Sequence, residues 1–323
     1  MSKIYALVLV TFLLLSCNTK NEKLTLIDSS GRINNLLVVM NDQDWEGRLG
    51  DSVRAILAKP LVGLPQEEAQ FSVNQVDPAA FSNLFKRTRN VLYIDYADTE
   101  NYYKTTDAYS SPQTILTILG TDFDNLSEKI SAHKHEIISV FKKQDLALYQ
   151  SKITKDHWNP KNIKTMVADG FTLKIPTTYN VVEDDKGFLW YRYSFAKGML
   201  NLLAYSFPIK DRSEFNPLNI IKKRDSIGKV HIPGQFENTY MKTEPLYNPM
   251  ATKMKLDDKE AYEIRGLWIV QNDFMGGPFI NYALLDEAKN RVVVVEGFSY
   301  SPATKKRDFV FEMEAILKTI EIE

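Results

Sequence analysis

The chain has 323 residues, of which 44% are hydrophobic and 11% aromatic, enough apolar material for packed interiors. Lys plus Arg number 40 and Asp plus Glu 41, a balance of −1 that argues against a nucleic-acid partner, which needs a basic face to neutralise phosphates. The length exceeds one ordinary core and predicts two domains of an α+β protein.

The chain opens with Lys3, an apolar run from Ile4 to Leu15, and Ser16 before Cys17. Twelve helical residues span about 18 Å against a hydrocarbon core of about 30 Å, so residues 1–16 read as an export signal and not a membrane span. Leu14-Leu15-Ser16-Cys17 resembles the bacterial lipobox, which implies that Cys17 is acylated (palmitate is one such chain) and becomes the new N-terminus. Two or more acyl chains hold a protein stably at a membrane. Cys17 is the only cysteine, so no thiol remains for a disulfide, a redox pair or a nucleophile. Residues 17–32 are predicted to be a lipidated tether. Their opening, Asn18-Thr19-Lys20-Asn21-Glu22, lacks the acidic run that resembles a surface-export signal in Bacteroidetes lipoproteins. The expected location is therefore the outer membrane, facing the periplasm.

Residues 33–152 alternate strand and helix signals, which predicts a layered α/β domain. Leu36 to Met40 is a short apolar run suited to a strand covered on both faces. Trp45, Leu49, Val53, Ile56 and Leu57 follow at helical spacing until Pro60. Phe71 and Val73 alternate, Phe81, Leu84 and Phe85 form a helical stripe, and Val91 to Ile94 and Ile115 to Leu119 read as buried strands. Thr121-Asp122 caps a helix through Ile130, and Ile137 to Leu148 continues as a second.

From residue 153 to 323 strands dominate. Phe171 to Ile175, Val181-Val182, Phe188 to Phe195 and Met199 to Phe207 are strands, and Asn216-Pro217 opens a helix through Ile227. Tyr262 to Val270, Phe279 to Leu285 and Arg291 to Tyr300 form an antiparallel meander, and Phe309 to Ile320 closes as an amphipathic helix. The opening Gly170-Phe171-x-Leu173-x-Ile175-Pro176 and the closing Ile316-Leu317-x-Thr319-Ile320 resemble a PsbP-type sandwich, a topological likeness that implies no function.

No cofactor or metal is indicated, because GxGxxG, Walker, HExxH and CxxC patterns are all missing. His133 and His135 are two apart on a helix and face different sides, so they do not share a metal; His157 reads as a linker residue. The acidic pairs Glu67-Glu68, Asp184-Asp185 and Asp257-Asp258 sit in turn contexts and read as solvated charge. The strongest local oddity is Phe274-Met275-Gly276-Gly277-Pro278-Phe279 between two strands. It reads first as a tight strand connection with a bulge, and alternatively as a positive φ or a close approach by a partner; Pro278 pushes Gly277 towards extended geometry, which assigns a positive φ to Gly276. Arg224-Asp225, Arg265 and Lys305-Lys306-Arg307 lie on elements that could converge beside Met275, Gly276 and Gly277 as a basic pocket for an anionic ligand, with surface pairing the more ordinary reading; His231, just after a helix, is a further candidate. The tryptophans read as core, with sugar stacking the alternative.

Several strings together resemble an uncharacterised Bacteroidetes lipoprotein family, a domain of unknown function that covers nearly the whole mature chain. They include Ile33-Asn34-Asn35-Leu36-Leu37-Val38-Val39-Met40, Gly63-Leu64-Pro65-Gln66, Ile232-Pro233-Gly234, Arg265-Gly266-Leu267-Trp268 and Glu296-Gly297-Phe298. The departure is Gln235-Phe236-Glu237-Asn238, where smaller residues are expected. The resemblance implies a location and no established activity. The expected role is a non-catalytic binding or scaffold component of the envelope, joined to the membrane through Cys17 and to an envelope protein or anionic ligand. The alternative is an envelope hydrolase with its site at the loops around Gly276-Gly277.

Overall fold

The computed structural model describes residues 26–185 and 187–323; the export signal and Cys17 lie outside the described residues. The described end of the expected tether is fastened down. Ser29 N–H donates to the Ser111 carbonyl at 3.1 Å, and Ser30 N–H to the Arg87 carbonyl at 2.8 Å.

The first half is a five-stranded sheet ordered β2-β1-β3-β5-β4. Its strands are β1 (Asn35–Val39), β2 (Ser72–Val76), β3 (Asn90–Tyr96), β4 (Asn101–Thr106) and β5 (Thr114–Gly120). All pairings are parallel except β4 with β5. The helix expected from Trp45 to Leu57 is two, α1 (Asp42–Glu46) and α2 (Arg48–Leu57), because Gly47 takes an extended conformation between them. A single turn, α3 (Asn83–Lys86), follows β2, and α4 (Phe123–Ala132) and α5 (Lys134–Lys155) follow β5. Asp122 caps α4 as expected, accepting the Asn125 N–H at 2.9 Å.

Strand alternation decides which face each side chain reaches. Leu36, Val38, Leu92, Ile94, Leu116 and Ile118 meet Leu49, Val53, Leu126, Ile137 and Phe141 from α2, α4 and α5. The opposite face carries a much smaller cluster of Leu37, Val39, Val91 and Ile115, with Phe81, Phe85 and Tyr93 against it. That asymmetry creates the cleft described below.

The second half begins with a short helix absent from the sequence expectations, α6 (Lys164–Asp169). The expected Phe171 to Ile175 strand shrinks to β6 (Phe171–Thr172), which pairs with β15 (Glu321–Ile322) at the C-terminus. The main sheet comprises β7 (Asn180–Asp185), β8 (Phe188–Phe195), β9 (Gly198–Pro208), β10 (Met241–Thr243), β11 (Met250–Leu256), β12 (Lys259–Val270), β13 (Gly276–Asp286) and β14 (Arg291–Tyr300). Its order is β10-β12-β13-β14-β9-β8-β7, with β11 also on the outer edge of β12, and every pairing is antiparallel. Helix α7 (Pro217–His231) covers one face through Ile220 and its neighbours. Helix α8 (Arg307–Leu317) covers the other through Val310, Met313 and Ile316. The expected α+β class, layered first and antiparallel second, is what the chain adopts.

Helix α5 joins the halves. Ile137 and Phe141 pack in the first core, whereas Leu146, Tyr149 and Ile153 pack in the second. Between them Asp145, fully buried, accepts from Asn34 N–H at 2.7 Å, Arg89 Nε at 2.9 Å and Asn90 Nδ2 at 3.1 Å. Glu68, expected as solvated charge, instead accepts the first N–H groups of α8.

Candidate functional site

A cavity of about 580 Å³ lies on the thinly covered face of the five-stranded sheet. Its floor follows from strand parity. Tyr93 on β3, Thr117 on β5 and Tyr103 on β4 are register partners, so they form one row across three strands. Neighbouring strands lie about 4.8 Å apart, so two tyrosines flank a trough about 10 Å wide floored by a threonine. Ile115 and Leu119 continue the floor along β5.

The walls are aromatic. Phe81 meets Tyr93 edge-on at 6.0 Å and Tyr109 at 6.2 Å, and the Lys86 ammonium lies 4.9 Å from the Tyr109 ring centre. Buried Gln113 ties these parts together. It accepts the Tyr109 N–H at 2.9 Å and donates to the Lys86 carbonyl at 2.6 Å and the Thr88 carbonyl at 2.8 Å. At the far end Asp95 accepts the Tyr93 hydroxyl at 3.2 Å and the Tyr96 N–H at 2.8 Å. Burial, helped by the Asp95 charge, pushes the Tyr93 phenol up to about 12. Tyr93 therefore stays protonated and acts as a hydrogen-bond donor. Tyr103 and Tyr109 remain 44% and 43% exposed.

Sequence reasoning missed Lys86, Tyr93, Asp95, Tyr103 and Tyr109. The available signal was Asn101-Tyr102-Tyr103-Lys104-Thr105-Thr106, whose tyrosines and threonines favour a strand.

The residues singled out from the sequence do not form one pocket. Arg224, only 1% exposed, points from α7 at Glu296, donating through Nε to both carboxylate oxygens at 3.0 Å. Its guanidinium carbon sits 3.8 Å from the Phe279 ring centre. Asp225 accepts the Thr243 N–H at 2.7 Å. Arg265 points to the opposite side of the sheet, where Nη2 donates to Glu314 of α8 at 2.6 Å. Arg307 sits at the start of α8 and donates to the Ala69 carbonyl and the Ser72 hydroxyl, both at 3.1 Å. The expected convergence fails because these arginines serve two different sheet faces.

His231 is the last residue of α7, within 2.9 Å of Glu183 and stacked on Phe188 at 4.0 Å between ring centres. Met275 is half-buried against the α7-side core. Gly276 and Gly277 are not a loop but the first residues of β13, opposite Ile269 and Trp268, and neither has a positive φ. Among the four tryptophans, Trp190 and Trp268 are buried, and none lines the tyrosine cleft.

Among the described residues, no group of three or more His, Cys, Asp or Glu side chains is arranged to hold a metal ion, and no helix is long and apolar enough to cross a membrane.

No curated protein matches the chain. Solved structures align with parts of it, and three of them illustrate the likeness. LpqN of Mycobacterium tuberculosis, described as involved in cell envelope biogenesis, has a TM-score of 0.30 and 9% identity over 47% of this chain and 82% of that one. A Bacteroides thetaiotaomicron protein has a TM-score of 0.27 and 11% identity over 47% and 45%. The lipid transfer and protein localization domain of human StarD13 has a TM-score of 0.23 and 7% identity over 44% and 88%. These likenesses are too slight to carry fold or function. A family profile described as domain of unknown function DUF8532 matches residues 29–154. A second, domain of unknown function DUF4837, matches residues 157–319, just over half of the 323, and the chain belongs to that family.

Proposed function

We propose that this protein is a lipid-anchored component of the bacterial cell envelope, held at the periplasmic face of the outer membrane through Cys17, that binds a saccharide without transforming it. The anchor rests on the lipobox-like leader. The ligand class rests on one observation, the Tyr93-Thr117-Tyr103 row with a carboxylate at its end.

A pyranose presents an apolar C–H face and a rim of hydroxyls. Partly exposed tyrosine rings suit the face, while Asp95 can accept hydroxyl protons and Lys86 can donate to ring or hydroxyl oxygens. The Asp95 carboxylate already accepts the Tyr93 hydroxyl, which fixes its direction and suits it to orienting a ligand. A cavity of this size lies within the range of ordinary ligand sites, and its mixed polar and aromatic lining suits a ligand with both apolar and hydroxyl surfaces.

The test is calorimetric titration of the full chain with a panel of neutral and N-acetylated oligosaccharides. One or more should bind, and Tyr103→Ala or Tyr109→Ala should each weaken binding about tenfold, roughly 1.4 kcal/mol, with an unchanged unfolding midpoint. No binding across the panel, or undiminished binding by both variants, would overturn the reading.

A further inference from the structure

A second cavity, about 260 Å³, lies at the seam of the two halves, between α5 and β12. It stands apart from the tyrosine cleft. Its lining includes Lys59, Gln70, Lys142, Thr252, Glu263 and Arg265.

The charges around it do not cancel. Arg265 donates from Nε to Glu263 at 2.7 Å and from Nη2 to Glu314 at 2.6 Å. Glu263 also accepts the Tyr282 hydroxyl at 2.7 Å, and Glu314 also accepts Lys318 Nζ at 2.5 Å. Each oxygen of the two carboxylates thus already accepts one hydrogen bond. Lys142, half-buried on α5, has no described carboxylate within 4.0 Å of its ammonium. Three cations, Arg265, Lys318 and Lys142, therefore face two carboxylates, with exposed Lys59 at the rim.

One donor is also unused. Arg265 Nη1 is buried and has no hydrogen-bond partner, although its side chain is only 10% exposed. Buried guanidinium N–H groups are nearly always paired, so an orphan beside a spare ammonium marks a missing acceptor. The backbone holds Arg265 in place. Gly63, at φ +84°, lies so close that an added Cβ would fall 2.8 Å from Arg265 Cβ.

We infer that this seam cavity is a binding site for a small oxyanion, a carboxylate or phosphate group, held between Arg265 Nη1 and the Lys142 ammonium. The oxyanion supplies the acceptor for Nη1 and the close ion-pair partner that Lys142 lacks. Because Lys142 belongs to α5 and Arg265 to β12, the bound anion also ties the two halves together. Burial, with smaller and opposing contributions from Glu314, Arg265, Glu263 and Lys318, lowers the Lys142 ammonium to about 8.

The experiment titrates the full chain at pH 7 and constant ionic strength with inorganic phosphate and, separately, with acetate. Calorimetry and the shift in thermal midpoint are the readouts. At least one anion should bind at millimolar concentration or better, and the preferred anion identifies the headgroup chemistry. Lys142→Met should weaken that binding at least about tenfold while leaving the anion-free protein no less stable, which separates lost binding from misfolding. If neither anion binds, Nη1 is satisfied by water and the site does not exist. If Lys142→Met binds as tightly as wild type, the anion sits elsewhere and the inference falls.

Discussion

Glu68 caps helix α8 from the other half of the chain. Its two carboxylate oxygens accept the Lys306 N–H at 2.7 Å and the Arg307 N–H at 3.1 Å, 238 and 239 residues away in sequence. The helix has no side-chain cap of its own at Lys306. A carboxylate at a helix N-terminus satisfies orphan donors and complements the macrodipole. Glu68→Ala should therefore lower stability by about 1–2 kcal/mol, and Glu68→Gln by roughly half as much, read from urea midpoints. Unchanged midpoints in both variants would mean that water caps the helix equally well.

The glycine pair at the start of β13 makes a different prediction from the one its sequence suggests. A Cβ on Gly277 would lie 2.1 Å from the Ser299 carbonyl oxygen, which also accepts Trp268 Nε1 at 3.2 Å. On Gly276 it would lie 2.8 Å from the Trp268 carbonyl oxygen. Close approach of strands, not a positive φ, explains both glycines. Gly277→Ala should cost about 3 kcal/mol and Gly276→Ala about 1–2 kcal/mol, because overpacking against backbone is relieved only by moving a strand. The order of the two denaturation midpoints checks this, and a more damaging Gly276→Ala would contradict it.

The central strands were legible because continuous apolar runs such as Leu36 to Val39 and Val292 to Val295 have one use in a folded chain. Strand β4 was not, because as an exposed edge it carries Asn101, Lys104 and three other polar or half-buried positions with no apolar alternation. Helix α6 is too short to show a period, and its cap comes from Asp184, whose carboxylate accepts the Lys164 and Thr165 N–H groups from 20 and 19 residues away. The tyrosine cleft was hidden for a related reason. Tyr93 alternates like a core residue, and only the thin cover on that sheet face leaves a cavity beside it. Arg265 was singled out from the sequence, but Lys142 sits on a charged helix and reads as solvated until β12 is placed over it.

Anchoring is tested on Cys17 itself, which lies outside the described residues. Cells expressing the protein are grown with a clickable fatty acid. Wild type should take up the label and partition with membranes, whereas Cys17→Ala should do neither, since a single cysteine offers no second thiol. Equal labelling of both proteins would remove the anchor from the proposed function.

Lys142 gives the sharpest pH dependence. Burial lowers its ammonium from 10.5 to about 8, partly opposed by Glu314 and Glu263 and reinforced by Arg265 and Lys318. A lysine whose folded value is depressed binds its proton more weakly in the native state than in the unfolded chain. Its charge therefore opposes folding fully below about 8, and the penalty fades as pH rises from there towards 10.5. Without added anion, Lys142→Met should be more stable than wild type at pH 7 by about 1–2 kcal/mol, a figure reduced for water reaching the half-buried group. The difference should shrink steadily through that window, because the other seam groups are common to both proteins. Phosphate or acetate, whichever binds, should narrow the gap at pH 7 by stabilising wild type alone. Urea midpoints across the pH series, with and without anion, supply the measurement. A Lys142→Met protein less stable than wild type at pH 7 would show that the ammonium is already fully compensated, leaving the seam no spare charge for an anion.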